Sequence, residues 1–411
     1  MNNKIKAAVA GAVLASASVA NAGITWDAGE WTVDMNGNVN AFAIFSDAKD
    51  SSGPVGGLAA TQNTTNDKSG DSVSISTGLL PAWLGFTATT RQNDIDTSVT
   101  ISFQPGMGGN QALTGGGNTE NRQAFLTFGD KSWGSVKLGK DLGIFGSTAI
   151  LNDMTLLGVG ATGGTVGNGV NATGGSAGTT TTLGGIGTGY LYADWKGQIA
   201  YTTPNMNGFS ATLGITQPWN AVASDAQSAA STGTTDQPAY EGQVSYSWTG
   251  DFAGKVWGGF FFQEVQGLTT GNLEEDANSF EVGVSTSIMN INLVAYGYSG
   301  EGVGTTGMLV NGFDDTGEAR DSDGGYVQAT YVIPMGTKLG VSYGVSKLDD
   351  TSNDTGNLVK ENNRITVGAY HPLTKHLNLV AEYSAIESES HLSTQSDAKQ
   401  DIFSVGAILF F

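Results

Sequence analysis

Apolar and polar residues alternate one by one through most of this chain, and that period of two admits strands while leaving little room for helices. Tyr240-Glu-Gly-Gln-Val-Ser-Tyr-Ser-Trp248 sets Tyr240, Val244, Tyr246 and Trp248 against Glu241, Gln243, Ser245 and Ser247. Near the end, Leu377, Leu379, Ala381 and Tyr383 oppose Asn378, Glu382 and Ser384, and the chain stops inside a strand whose apolar face carries Phe403, Val405, Ala407, Leu409 and Phe411. At the start, Asp34, Asn36, Asn38 and Asn40 share a face that wants water. A soluble sandwich alternates in the same way. Regularity over the whole chain, with runs near the ~9–11 residues needed to cross a bilayer, favours strands with one face in lipid and one in water.

The connections carry a second pattern. Short ones fall near Pro81, Asp130, Pro204 to Asn207, Gly250, Met289, Pro334 to Gly336 and His371 to Lys375. Long ones fall around residues 46–70, 104–120, 141–193, 218–238, 266–277, 300–323, 348–360 and 388–399. Seven short turns alternating with eight long loops predict sixteen strands, with Trp83 to Phe103 read as one long strand and a parity flip near Asp94 as a bulge or an exit from the membrane. The fold class is all-β, a transmembrane antiparallel barrel. The insertion at 141–193 is long for an ordinary loop, and a wide lumen gives it a reason if it folds inward.

Composition bounds what else the chain can be. Beyond the N-terminus no apolar run is long enough for a spanning helix, which argues against a helical membrane protein. Met1-Asn-Asn-Lys-Ile-Lys, an apolar stretch to Val19 and Ala20-Asn-Ala22 read as a signal peptide over 1–22, leaving 23–411 as one barrel domain. A net charge of −20 makes nucleic acid an implausible partner, and the absence of cysteine removes disulfides and thiolate metal sites. Trp133 and Trp248 beside short turns, Trp83 beside Pro81, and Tyr201 and Tyr370 near strand ends fit an interfacial girdle.

With these features, the chain resembles the general diffusion porins of the Gram-negative outer membrane. The resemblance as a specific motif rests on Asn121-Arg-Gln-Ala-Phe-Leu-Thr-Phe-Gly, Gly134-Ser-Val-Lys-Leu-Gly-Lys140 and the terminal Phe411. The family pattern usually has Arg where Lys137 and Lys140 stand, so charge is kept and the planar fork is lost. The resemblance implies a homotrimer in outer-membrane lipid and lipopolysaccharide. It further implies a third loop folded into each barrel, with acidic groups on that loop facing wall bases to orient hydrated solutes and ions. Carried onto this chain, the loop acids are Asp141 and Asp153, and the wall bases are Arg91, Arg122, Lys137, Lys196 and Arg364. Parity puts Arg91, Lys137, Lys196 and Arg364 on polar faces and leaves Arg122 ambiguous. The competing reading of each is a rim charge that never meets the permeant ion.

Other acids crowd the long connections, including Glu274, Glu275, Asp276, Asp314, Asp315 and Glu318. Asp321-Ser-Asp-Gly324 offers Asp321 and Asp323 as hard ligands for a divalent cation in an extracellular loop, against the plainer reading of a solvated negative mouth. No cofactor is expected. Gly340-Val-Ser-Tyr-Gly344 spells a nucleophile elbow but lies in an alternating run with no helix after it, so the expectation is no enzyme. The expected function is a water-filled diffusion channel for small hydrophilic solutes and ions, favouring cations. A substrate-selective porin and a plugged barrel acting as an adhesin or surface anchor are the alternatives.

Overall fold

The computed structural model describes residues 23–50, 52–61, 70–106, 119–162, 181–223, 228–231, 235–268 and 273–411. The expected signal peptide at 1–22 and the tip of the long insertion at 163–180 lie outside the described residues. Strands come first as β1 (Ile24–Ala28), β2 (Trp31–Ala48), β3 (Gly70–Ser76), β4 (Trp83–Gln92), β5 (Ile95–Pro105), β6 (Thr119–Glu120), β7 (Ala124–Asp130) and β8 (Gly134–Leu142). A short helix α1 (Ser147–Asn152) and a 3₁₀ turn at Met154–Leu157 precede β9 (Trp195–Thr202), β10 (Phe209–Thr216), β11 (Ala239–Trp248), β12 (Phe252–Leu268) and β13 (Leu273–Ile288). The chain finishes with β14 (Ile291–Glu301), β15 (Asp321–Val332), β16 (Lys338–Leu348), β17 (Val359–Pro372), β18 (Leu377–Ser390) and β19 (Ala398–Phe410).

β2 is the seam. Its upper half pairs with β19, from Asn38 opposite Phe410 to Ala48 opposite Gln400, which joins the last strand to the first. Where β19 runs out, Phe411 and Gly37 exchange two backbone hydrogen bonds of 2.9 and 3.0 Å, and β1 continues the same edge with Ile24 opposite Met35. On the other edge, β3 covers residues 42–48 of β2 and β4 covers residues 32–38. Each of these two pairs, β19 with β1 and β3 with β4, is therefore one interrupted wall strand. The two-residue β6 only extends the pairing of β5. The result is a closed antiparallel barrel of sixteen strands. Closure leaves no edge, as a wall in hydrocarbon requires.

Two turn assignments differ from the sequence reading, and they cancel in the count. Pro81 does not turn a hairpin; residues 77–82 interrupt a strand that resumes in the same direction at Trp83. The hairpin turn lies at Asn93 and Asp94, whose φ values of 49° and 62° are those of a two-residue turn with the twist a hairpin needs. Trp83 to Phe103 is thus two strands, and the parity flip at Asp94 is the turn between them. Trp83 accordingly sits in the wall, 5.8 Å from Trp195 ring to ring, and not beside a turn. The expected loop at 266–277 is mostly strand, since β12 reaches Leu268 and β13 starts at Leu273.

The two faces separate as the period of two demands. On β16, Leu339, Val341 and Tyr343 are exposed while Gly340, Ser342, Gly344 and Ser346 are buried. On β18 and β19, Leu379, Tyr383, Phe403, Val405 and Leu409 face outward and Asn378, Glu382, Ser384 and Ser404 inward. Introducing a charge at the middle of the outward band, Val341→Arg, is expected to cost about 2–4 kcal/mol. Urea unfolding in lipid vesicles measures it, and an unchanged midpoint would contradict the assignment of this face to lipid.

Candidate functional site

Between β8 and β9, the described residues 143–162 and 181–194 meet the inward face of the wall at many points. Loop backbone carries unpaired N–H groups that must find acceptors when buried. Here three wall glutamates supply them. Glu241 on β11 accepts from the amides of Ile144 and Phe145 at 2.7 and 2.9 Å, and Glu281 on β13 accepts from Gly146 at 3.0 Å. Glu382 on β18 accepts from Val159 and Gly160 at 2.7 and 2.9 Å. The first set lies just ahead of α1, on the amides of Ile144, Phe145 and the N-cap residue Gly146, so wall carboxylates hold the chain where it enters the helix. Gln328 on β15 and Ser346 on β16 add acceptors for the amides of Met154 and Gly189, and the Tyr326 hydroxyl donates to the carbonyl of Ala149.

Close approach decides which wall residues are glycine. A Cβ on Gly340 would lie 2.5 Å from the Met154 sulfur, and one on Gly344 only 2.1 Å from the Thr188 carbonyl. The spelling of a nucleophile elbow at 340–344 is therefore a strand with two inward glycines that clear the loop, and Ser342 sits within the ladder opposite Gln328 and Thr366. Within the loop, Gly158 is equally constrained, since its Cβ would fall 2.0 Å from the Glu382 carboxylate.

The charges nominated from sequence divide into several places. Asp153 lies on the loop between α1 and the 3₁₀ turn, 3.8 Å from the Arg364 guanidinium and accepting from the Tyr190 hydroxyl at 2.8 Å. Arg364 on β17 also donates to Thr188 and Thr366. Asp141, expected on the loop, is instead on β8, bound to Lys137 of the same strand and to Gln123. Strand parity explains this, because residues 137 and 141 share the inward face and β8 runs on to Leu142. Lys196 pairs with Glu241 at 2.7 Å with both side chains buried. Arg122, just before β7, pairs with Glu120 at 2.9 Å and stacks 5.8 Å over Trp195. Arg91 sits by the Asn93 turn, bonded to Asp96 and Asp130. There the hydroxyl and amide of Ser132, then Arg91, hold the Asp130 carboxyl well below the usual range. Asp321 and Asp323 are exposed on β15, opposite Glu301 and Ser299, and among the described residues no group of three or more ligating side chains is placed to hold a metal.

The connections on the opposite side from the short turns are tied together. Arg320 is buried and bonds Asp354 as well as the carbonyls of Asn311 and Phe313. Asp314 accepts from Thr316, Glu318, Thr351 and Asn353. Burial raises its pKa, but those hydrogen bonds outweigh burial and bring it down to about 2. What the sequence reading missed is the set Glu241, Glu281 and Glu382. Their inward parity was legible; that backbone amides of another segment would meet them was not.

A family model described as Gram-negative porin matches residues 7–391. The chain belongs to this family. No curated protein matches it by sequence. Solved structures share the fold at low identity. DcaP, an outer membrane channel of Acinetobacter baumannii, is 15% identical with a TM-score of 0.67, covering 95% of this chain and 100% of its own. An anion-selective porin from Comamonas acidovorans is 16% identical at 0.63, covering 93% and 100%. OmpT of Vibrio cholerae, in a trimer form, is 15% identical at 0.55, covering 93% and 100%. This porin is an outer-membrane, multi-pass β-barrel.

Two outcomes follow from the anchors. Glu382→Ala removes a charged acceptor worth about 1.5–3 kcal/mol to its donors, so the amides of Val159 and Gly160 should exchange hydrogen about tenfold to a hundredfold faster, and unchanged protection would show the anchor to be dispensable. Asp314 has a folded pKa depressed from 3.8 to about 2, so its contribution is complete above pH 3.8 and is lost as pH falls through about 2. Protease susceptibility of the segment 311–320 should rise across that window in the porin and lose the pH step in Asp314→Asn.

Proposed function

We propose that this porin is a passive, water-filled channel for small hydrophilic solutes and ions and not an enzyme, with residues 143–162 and 181–194 narrowing its lumen. The observation that carries the reading is the anchoring of that segment to inward carboxylates on three separate strands, β11, β13 and β18. An inserted segment held at several points around a polar-lined barrel reduces the cross-section while leaving the remainder wet. Acids crowding the connections at the outer end, among them Asp315, Glu318, Asp349 and Asp350, make that mouth negative and favour cations there. A homotrimer in lipid and lipopolysaccharide follows the same reading, supported by the Vibrio cholerae relative described as a trimer.

The alternatives draw less support. A row of touching rings runs through Trp257, Tyr296, Tyr326 and Tyr190, stacked, tilted and edge-on in turn, with centroid separations of 6.4, 5.7 and 5.7 Å. All four are buried, so they fill the space between wall and loop and do not offer a face for a passing solute.

Single-channel recording across a planar bilayer under a salt gradient tests the reading. Folded protein is expected to give current steps grouped in threes, with a reversal potential on the cation side. Absence of current from folded, heat-modifiable protein would overturn the channel.

A further inference from the structure

The interior charges fall into two groups. Those at the level of the inserted segment are consumed within the protein: Arg364 by Asp153, Lys196 by Glu241, and Glu281 and Glu382 by amides and tyrosine hydroxyls. Lys137 is bound to Asp141. The three ion pairs present little net charge to a passing ion, whereas Glu281 and Glu382, held by neutral donors, are shielded from it by burial. Two other cations share the inward face and make no hydrogen bond or ion pair among the described residues, Lys255 on β12, which has Glu281 as the carboxylate acting on it from a distance, and Lys338 on β16, which has Glu382 and Asp153.

Parity and register place both. Lys255 shares the inward side of β12 with the buried Trp257 and Phe261, and lies opposite Ser285 of β13. Lys338 shares the inward side of β16 with Gly340 and Ser342, opposite the buried Tyr370, with its ammonium 4.6 Å from the centre of that ring. Both are partly exposed. On β16 the loop contacts begin one inward step above Lys338, where Gly340 meets Met154. On the β12 side, Phe145 of the loop packs against Phe261, three inward steps above Lys255. Both strands begin at short turns, so the two lysines lie between the inserted segment and the short-turn end of the barrel.

We propose that Lys255 and Lys338 are charge-selectivity determinants of this porin, acting on anions in the half of the lumen below the inserted segment. The proposal rests on the channel reading and deepens it. The acidic mouth enriches cations at the outer end, and the two lysines, set against the inward carboxylate of Asp34 in the same half, favour anions at the inner end, so the pathway carries opposite fixed charge on its two sides. When the outer side is positive, cations enter through the acidic mouth and anions through the lysine half, and both accumulate at the narrowing. The reverse polarity draws each ion in through the end that repels it and depletes the narrowing. The current is therefore larger with the outer side positive.

The test is the reversal potential in a potassium chloride gradient, and the current ratio at equal and opposite voltages, for the folded porin and for Lys255→Gln with Lys338→Gln. Removing both charges should raise the cation-to-anion permeability ratio by about twofold or more, the scale of a unit charge acting through water at several ångströms, and bring the current ratio toward one. Each single substitution should give part of the change, and the Arg replacements, which keep the charge, should restore the wild-type values. Lys347→Gln, on the outward face of β16, should move neither readout. Current with unmoved selectivity in the double variant, or an equal shift from Lys347→Gln, overturns the assignment alone. No current from the folded wild-type porin overturns the channel reading and this proposal with it.

Discussion

Hydrocarbon offers no partner for a backbone N–H, and nearly every feature of this wall answers that constraint. The ladder has to close, so β2 is shared by four strands instead of two, with β19 and β1 along one edge and β3 and β4 along the other. An interrupted strand is tolerated because its two pieces lie in line and their common neighbour is continuous. The same closure determines which side chains meet lipid, since alternate residues of a closed ladder have no choice but the inside or the outside.

Inside, the demand for pairing reappears in another form. A segment taken off the surface brings amides that water no longer satisfies, and Glu241, Glu281 and Glu382 provide acceptors with charge to spare. Burying three carboxylates would be costly alone. It is offset by several donors converging on each, including Lys196 on Glu241 and the hydroxyls of Tyr296 and Tyr370 on Glu281 and Glu382. Loop and wall thus solve one another's polar accounting, and glycines at 158, 340 and 344 give the clearance that lets them approach.

Much of the wall was legible in the chain, and the places where it was not are instructive. Alternation in β11, β18 and β19 gave faces that the structure keeps. The turn at Asn93 and Asp94 was hidden because Arg91 to Asp94 is polar throughout and offers no apolar register, while Pro81 drew attention as a turn former although a proline also suits an interruption in a strand. For the site, Asp153 with Arg364 could be nominated by residue type and parity. Lys196 with Glu241 could not be matched, because that partner depends on register between strands, and Asp141 with Lys137 was missed because starting the insertion at 141 puts two residues of β8 on different elements. Lys255 and Lys338 drew no notice, since a lone lysine in an alternating run looks the same whether its partner is present or missing.

The sequence by itself determined that this chain makes strands and which face of each is apolar, because a period of two is a local property carried by neighbouring residues. Tertiary structure decided which carboxylates hold the inserted segment and which cations are left without partners. Those depend on distances between residues as far apart as Val159 and Glu382, which come together only when the ladder closes and the loop turns inward. No run of neighbouring side chains encodes such a distance.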